Sequence, residues 1–395
     1  MKRRRKVALL LQLFQNFDQG ILRGIVTYAR ECKRWSIYVE EEPYHWLPNM
    51  SEWDGDGFIV NFDDRRFAQT VRAAHKPIVG VGAGRGWFNP DSGIPYVGTD
   101  DEAIGRLAAE HLLSCGLRHF AFCGYPTTRT NIWVANRCRA FKQRLEQEGF
   151  DCDVFNGHYA TARHWDRIQG ELTSWVRKLP TPVGLMACYD WRARHVLEAC
   201  QAVGLRVPDD VALIGVDNDL MLCELTDPPL SSVEQGRFSI GYTAASLLDK
   251  MMSGHRLKTP RYCIPPVGLV ARQSTNVLAV DDRELAAALR MIREEACRGL
   301  QADRVAERIG FSRTTLDNRL KKAIGRTLDL EIRRVRLTRA EELLARTNCP
   351  MREVAREAGF ANEQYLSAVV RKETGLTPVQ YRREHQVRHA YLLTG

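Results

Sequence analysis

Between Lys6 and about Arg272, short apolar runs alternate with stretches whose apolar residues recur at helical spacing. Val7–Phe14, Gly57–Phe62, Pro77–Val81, His119–Gly124, Val183–Ala187 and Val211–Val216 are near-continuous apolar runs, the mark of strands buried on both faces. Helices are expected between them at Gly20–Cys32 (Ile21, Ile25, Tyr28 and Ala29 on one face), Asp101–Leu113, Asn136–Glu148, Trp165–Lys178, Arg192–Val203 and Ser239–Met252. Strand alternating with helix predicts parallel sheets covered on both sides. The pattern runs longer than one doubly wound sheet, so two α/β lobes are expected. Ligands of such sheets bind beyond the carboxyl ends of the strands.

The pattern changes after the stretch from Ile264-Pro265-Pro266 to Thr275-Asn276. From Asp281 to Tyr391 nearly everything is helix-periodic and nothing reads as strand. The expected organisation is a two-lobed unit over 1–276, a linker over 277–284 and an all-α domain over 285–395. Two segments of that domain share one design, at 302–324 and 351–374. A short helix (Ala302–Arg308; Met351–Ala358) is followed by Gly310 or Gly359, where a positive φ is cheap, and then by a capped second helix. Ser312 and Asn362 supply the capping oxygens, and those helices run to about Ile324 and Thr374. A helix over Leu328–Arg346 joins the two units.

Charge sharpens this division. From Arg283 to Gly395 there are 23 Lys and Arg against 15 Asp and Glu, whereas the preceding residues nearly balance at 34 against 33. Most of the net charge of +9 therefore lies on the helical domain, where it suits a phosphate backbone. Eleven cysteines occur singly, without metal-like spacing, as expected of free thiols in a reducing cytosol. The basic start Lys2–Lys6 precedes an apolar run broken by Gln12 and no small-residue cleavage site, so it is read as the lead into a first strand. No run approaches the ~18 apolar residues of a membrane span, and a cytoplasmic protein is expected.

On the second helix of each unit, Leu316 and Leu320, and Leu366, Val369 and Val370, should face the core. The opposite sides carry Arg313, Thr314, Asp317, Asn318, Lys321 and Lys322 in the first, and Glu363, Gln364, Ser367, Arg371 and Lys372 in the second. Polar groups early and cations late suit base edges and phosphates respectively. Arg336-Leu337-x-x-Ala340-x-x-Leu343-Leu344, Val354-Ala355-x-x-x-Gly359-Phe360 and Gly375-x-Thr377-Pro378-x-x-Tyr381-Arg382 resemble the AraC/XylS family of transcription factors over about 285–385. Leu366 and Val370 depart from the family's usual aromatic pair but stay apolar. The resemblance implies one recognition helix in each of two successive major grooves of double-stranded DNA, on a direct repeat or paired half-sites. It places base contacts on Thr314, Asp317 and Asn318, and on Glu363, Gln364 and Ser367. Ala368 stands where family members often have arginine.

In the first unit, acidic and amide residues gather at predicted strand ends: Asn61, Asp63, Asp64, Asp100, Asp101, Asp190, Asp217 and Asn218. Carboxylates on converging strand ends can accept hydrogen bonds from several hydroxyls of one sugar, and Phe17, Trp133 and Trp191 could offer a stacking face. An aspartate after a strand is equally an ordinary helix cap, so the expectation rests on repetition. Ile214-Gly215-Val216-Asp217-Asn218 with Pro228-Pro229-Leu230-Ser231-Ser232-Val233 is similar to the effector domain of LacI/GalR repressors and the periplasmic sugar-binding fold. That resemblance makes Arg137 and Asp217 the effector ligands and puts Tyr189 where the family has asparagine. Those repressors begin with a DNA-binding headpiece; here the DNA reader is expected at the other end.

The combination resembles the XylR type of xylose-operon regulator, with matches at Val60–Asp64, Pro77–Gly82, Asp190–His195, Gly215–Asn218 and Pro265–Val267. It implies an activator induced by D-xylose, a homodimer, and RNA polymerase as the target of activation. Asp18, Asp64, Asp100, Trp133, Arg137, Asp190, Asp217 and Asn218 are the effector residues expected. Another pentose or hexose on the same architecture is the alternative, and the resemblance assigns no role to Gly84–Gly93 with Trp87 and Phe88. An enzyme is disfavoured: there is no phosphate loop, Gly80-Val81-Gly82-Ala83-Gly84 is followed by Arg85 rather than completing a dinucleotide fingerprint, and neither a Gly-x-Ser-x-Gly elbow nor a His-Glu-x-x-His pair occurs. A periplasmic sugar carrier would leave the basic helical domain unexplained. No metal or cofactor is expected.

Overall fold

A computed structural model describes residues 3–39, 53–71, 74–83, 93–128, 131–158, 164–257, 260–277 and 282–383. The chain divides into two units, residues 1–277 and 278–395. The first lobe begins with β1 (Arg5–Leu10), α1 (Asn16–Cys32), β2 (Trp35–Val39), β3 (Gly57–Asn61), α2 (Arg65–Thr70), β4 (Ile78–Gly82) and β5 (Tyr96–Thr99). The second comprises α3 (Asp101–Ser114), β6 (His119–Gly124), α4 (Ile132–Glu146), β7 (Cys152–Asn156), α5 (Trp165–Val176), β8 (Val183–Ala187), α6 (Asp190–Ala202), β9 (Val211–Val216), α7 (Leu220–Leu225) and β10 (Ser231–Glu234). The chain then returns to the first lobe for α8 (Arg237–Met252) and β11 (Arg261–Ile264), and closes in the second with β12 (Gly268–Val270).

Each lobe holds a six-stranded sheet, ordered β11-β5-β4-β3-β1-β2 and β12-β10-β9-β8-β6-β7. All pairings are parallel except β10 with β12. The two α/β lobes and the helical region after them are thus the architecture that the alternating pattern predicts. β3, β4, β8 and β9 are buried throughout, which is why their sequences read as unbroken apolar runs. β2 and β7 are edge strands, β2 burying only Trp35 and β7 none of its residues, so their mixed sequences carry no such signal. β1 stops at Leu10 rather than Phe14, because Leu11–Gln15 turns into α1.

The chain passes between the lobes three times, at Thr99–Asp101, Glu234–Arg237 and Ile264–Gly268, and the crossings are bonded together. Asp100 N–H donates to Ile264 C=O at 2.9 Å, and Val267 N–H to Glu234 C=O at 2.8 Å. This three-stranded joint is a hinge beside the strand ends.

The second unit contains α9 (Arg283–Glu295), α10 (Ala302–Ile309), α11 (Arg313–Ile324), α12 (Leu328–Arg346), α13 (Met351–Glu357) and α14 (Glu363–Thr374). It has two small cores. Leu289, Ile292, Val305, Leu316, Leu320, Leu328 and Ile332 build one; Ala340, Leu344, Val354, Phe360, Leu366 and Val370 build the other. α12 contributes to both and is the spine between them. Arg336 pins it, donating to the carbonyls of Ala296 and Leu300 at 2.9 and 2.8 Å. Among the described residues no helix is long and apolar enough to cross a membrane, no metal-holding cluster occurs, and the eleven cysteines are free. Residues 84–92, most of the Gly84–Gly93 segment, and 278–281 of the expected linker lie outside the described residues.

Candidate functional site

The strand ends of the two lobes converge on Arg137. It sits one turn into α4 and is 1 % exposed. Its Nε donates to Asp101 Oδ1 at 3.0 Å and its Nη1 to the Cys188 carbonyl at 2.8 Å, while its guanidinium lies over the Trp133 ring, 4.6 Å from the centroid. Burial pushes the Asp101 carboxyl up to about 6, against the pull of Arg137 and of the Thr99 hydroxyl. The arginine is thus fixed on three sides before any ligand arrives.

Asp217 follows β9 with a φ of 116°, a region that residues with side chains rarely adopt. Such strain persists where surrounding contacts enforce it, commonly at ligand sites. Gln235 Nε2 donates to its carboxylate. Burial raises the carboxyl's pKa, opposed by the positive charges of Arg137 and Arg237. Trp133 meets Tyr189 edge to face at 6.0 Å, and the Tyr125 and Tyr189 hydroxyls are 3.2 Å apart. Acceptor, donor and aromatic face therefore lie close together beside the crossings between the lobes, the set that neighbouring sugar hydroxyls and a C–H ring face require.

Several expected effector residues have other partners. Asp18 is fully buried, accepting Gln12 N–H and both hydrogen bonds of the Asn61 amide at 2.7–2.9 Å. Asp64 caps α2 through Arg66 N–H, and Asp100 caps α3 through Ala103 N–H, both at 2.9 Å. Asp190 is fully buried behind β9, accepting Ser232 Oγ at 2.6 Å and Asp219 N–H at 2.9 Å; burial and the nearby Asp217 push its carboxyl up to about 8. Asn218 turns aside to Arg272. These five side chains thus each have protein partners of their own in the structure. Trp133, Arg137 and Asp217 remain together. Sequence reasoning missed Gln235, which carries no local signal, and placed Asp101 among the strand-end carboxylates without seeing that Arg137 is its partner. Trp191 is half exposed beside Arg194, and Phe17 packs with the first-lobe core.

In the second unit, Ser312 and Asn362 cap α11 and α14, accepting Thr315 and Tyr365 N–H at 3.2 and 2.8 Å. Thr314, Asn318, Lys322, Glu363, Gln364, Arg371 and Lys372 are exposed, and Ser367 is partly exposed; among the described residues none of these side chains has a partner. Two expected contacts differ. Arg313 is caged by Asp303 at 2.8 Å, by Asp329 and by Asp317 at 3.9 Å. Asp317 Oδ1 accepts Leu328 N–H at 2.8 Å and so caps α12. Gly310 and Gly359 have φ of 84° and 77°. Gly359 also packs on backbone: a Cβ there would lie 2.6 Å from Cys297 Cα, whereas at Gly310 it would meet nothing.

Residues 6–102 match a XylR N-terminal domain, 109–275 a periplasmic binding protein-like domain and 305–384 a helix-turn-helix domain. The xylose operon regulatory protein of Escherichia coli (strain K12) is 32% identical over 381 residues, 96% of this chain and 97% of that one. The ribose operon repressor of Halalkalibacterium halodurans is 32% identical over 182 residues, 46% of this chain and 53% of its own. Among solved structures, that of a xylose-binding transcription activator, xylR, aligns with a TM-score of 0.73 at 32% identity, covering 97% of this chain and 99% of the other.

Proposed function

The chain belongs to the family of xylose operon regulatory proteins, sugar-sensing DNA-binding transcription regulators rather than enzymes, and we propose on that premise that its effector is D-xylose. In this reading residues 1–276 sense the sugar, 277–284 link, and 285–395 bind DNA. The observation that carries it is the strained Asp217 facing a pre-braced Arg137 beside Trp133 at the hinge. Asp217 accepts hydrogen bonds from two sugar hydroxyls, Arg137 donates to a third oxygen, and Trp133 covers the apolar face of the ring. A ligand touching both lobes favours their closed arrangement by its differential affinity for it.

The output is a homodimer whose paired α11 and α14 helices read a direct repeat or paired half-sites. Thr314 and Asn318, and Glu363, Gln364 and Ser367, address base edges; Lys322, Arg371 and Lys372 hold phosphates. RNA polymerase is the target of activation. The ribose operon repressor's likeness to the first unit makes D-ribose the second reading. Calorimetric titration of the full chain with D-xylose, D-ribose, L-arabinose and D-glucose decides. Tightest binding of D-xylose is expected; tighter D-ribose would move the assignment, and heat from none of them would overturn it.

A further inference from the structure

Asp217 is followed by a second residue in the left-handed region, Asn218, with a φ of 47°. Two consecutive non-glycine residues in this region make a turn that its neighbours must hold in place. Asn218 holds its carboxamide between Arg272 and Glu234, its Nδ2 donating to Glu234 Oε2 at 3.4 Å. Its Oδ1 accepts Arg272 Nη2 at 2.7 Å, and its backbone N–H donates to Ser232 Oγ at 2.9 Å.

Arg272 lies just past β12, on the strap that ends the first unit. Its Nη1 donates to the Leu230 carbonyl at 2.8 Å and its backbone N–H to Ser231 Oγ at 2.7 Å. Buried hydroxyls sew the rest of the strap to the second lobe. Ser274 Oγ accepts Ser231 N–H at 2.8 Å and donates to the Leu213 carbonyl at 2.6 Å; Thr275 Oγ1 meets Ser231 Oγ at 2.7 Å and His111 Nε2 at 2.8 Å. Among the described residues, Arg272 is the side chain that bonds both to the strap's surroundings and to the Asp217–Asn218 turn. Its Nε is buried without a partner. The guanidinium fork therefore has a spare donor, and a second arrangement can exchange a bond instead of losing one.

We propose that Arg272 is a positioning residue that carries the state of the Asp217–Asn218 turn to the strap leading into the DNA-binding unit. The inference rests on the reading that sugar engages Asp217. A hydroxyl bound there fixes the peptide joining Asp217 to Asn218, Asn218 moves with that peptide, and the planar fork of Arg272 transfers the shift to residues 271–277. Two linked arrangements of one element, each biased by a different site, are what coupling requires.

The test uses the full chain as wild type, Arg272→Met and Arg272→Lys. Calorimetry reads D-xylose affinity, and hydrogen exchange reads the strap amides at 271–277. In the wild type, D-xylose should slow strap exchange by at least about fivefold. Arg272→Met should keep its sugar affinity and lose the slowing, and Arg272→Lys, which restores a cationic donor, should recover part of it. Retained slowing in Arg272→Met overturns the proposal, as does loss of affinity and slowing together. Should the wild type fail to bind D-xylose, the effector reading fails separately. Coupling is then read without sugar: Asp217→Asn should change strap exchange in the wild-type background and leave it unchanged beside Arg272→Met. Equal effects in both backgrounds overturn it.

Discussion

Arg137→Ala separates what that residue does for the fold from what it does for the ligand. Removing the side chain leaves Asp101, whose side chain is 3% exposed in the pair, without its cation, and leaves the Cys188 carbonyl without its donor. Breaking one side of a buried ion pair costs about 3–5 kcal/mol, because a charge is left uncompensated in low dielectric. All eight tryptophans lie within residues 1–277, so urea unfolding followed by tryptophan fluorescence reports the sensor unit alone. A loss of about 4 kcal/mol is expected near pH 7.5. The loss should shrink in acid. Burial already raises the Asp101 carboxyl from 3.8 to about 6, so the stability of its neutral form is complete below 3.8 and fades as pH rises through about 6. Without Arg137 the carboxyl rises further, and at pH 5 it is neutral in the folded variant. Combining Arg137→Met with Asp101→Asn removes both charges and should restore most of the stability while sugar binding stays lost. Wild-type stability of Arg137→Ala, or normal sugar affinity in the double variant, would refute the reasoning.

Other outcomes follow from the same geometry. Gly310→Ala should cost about 1–2 kcal/mol in circular-dichroism melts, from the left-handed backbone alone, whereas Gly359→Ala must also displace Cys297 and should cost distinctly more; equal costs would contradict the packing described. His195 is buried beside Arg192 and Arg194, and burial first, then those charges, lower its pKa from 6.5 to about 4. The unfolded chain therefore takes up the proton first, and the wild type should lose about 3 kcal/mol between pH 6.5 and pH 4 that His195→Gln does not lose; parallel pH profiles would contradict this. Asn318→Ala should relax base preference in one half-site, while Arg371→Ala should weaken all sequences and flatten the salt dependence; equal losses for Asn318→Ala on selected and random DNA would remove it from base reading.

Much of this was legible in the residues. Most of the buried strands announced themselves, as did both capped glycine turns and α12, because burial on two faces and a left-handed helix end each restrict residue choice; β5, four residues with a glycine and a threonine, is fully buried yet gave no apolar run. β2 and β7 lie at sheet edges and β10, β11 and β12 span only three or four residues, so hydrophobicity alone could not mark them. The site was half legible. An aspartate after a strand reads the same whether it caps a helix, as Asp64 and Asp100 do, or stands strained in a cleft, as Asp217 does. What distinguishes them is backbone conformation and the approach of Arg137 and Gln235 from distant elements, which no local pattern encodes. In the same way Asp317 faced outward on a helical projection, yet the first N–H of α12 had already claimed it.

The central claim is that sugar bound at Arg137 and Asp217 governs the DNA-binding unit. Its most direct test is the affinity of the full chain for an operator, selected by that chain from random-sequence DNA, measured with and without saturating D-xylose. A change of at least about fivefold is expected, matched by an equal change in sugar affinity when the operator is bound, and absent in Asp217→Ala. Sugar that binds yet leaves operator affinity unchanged would contradict it.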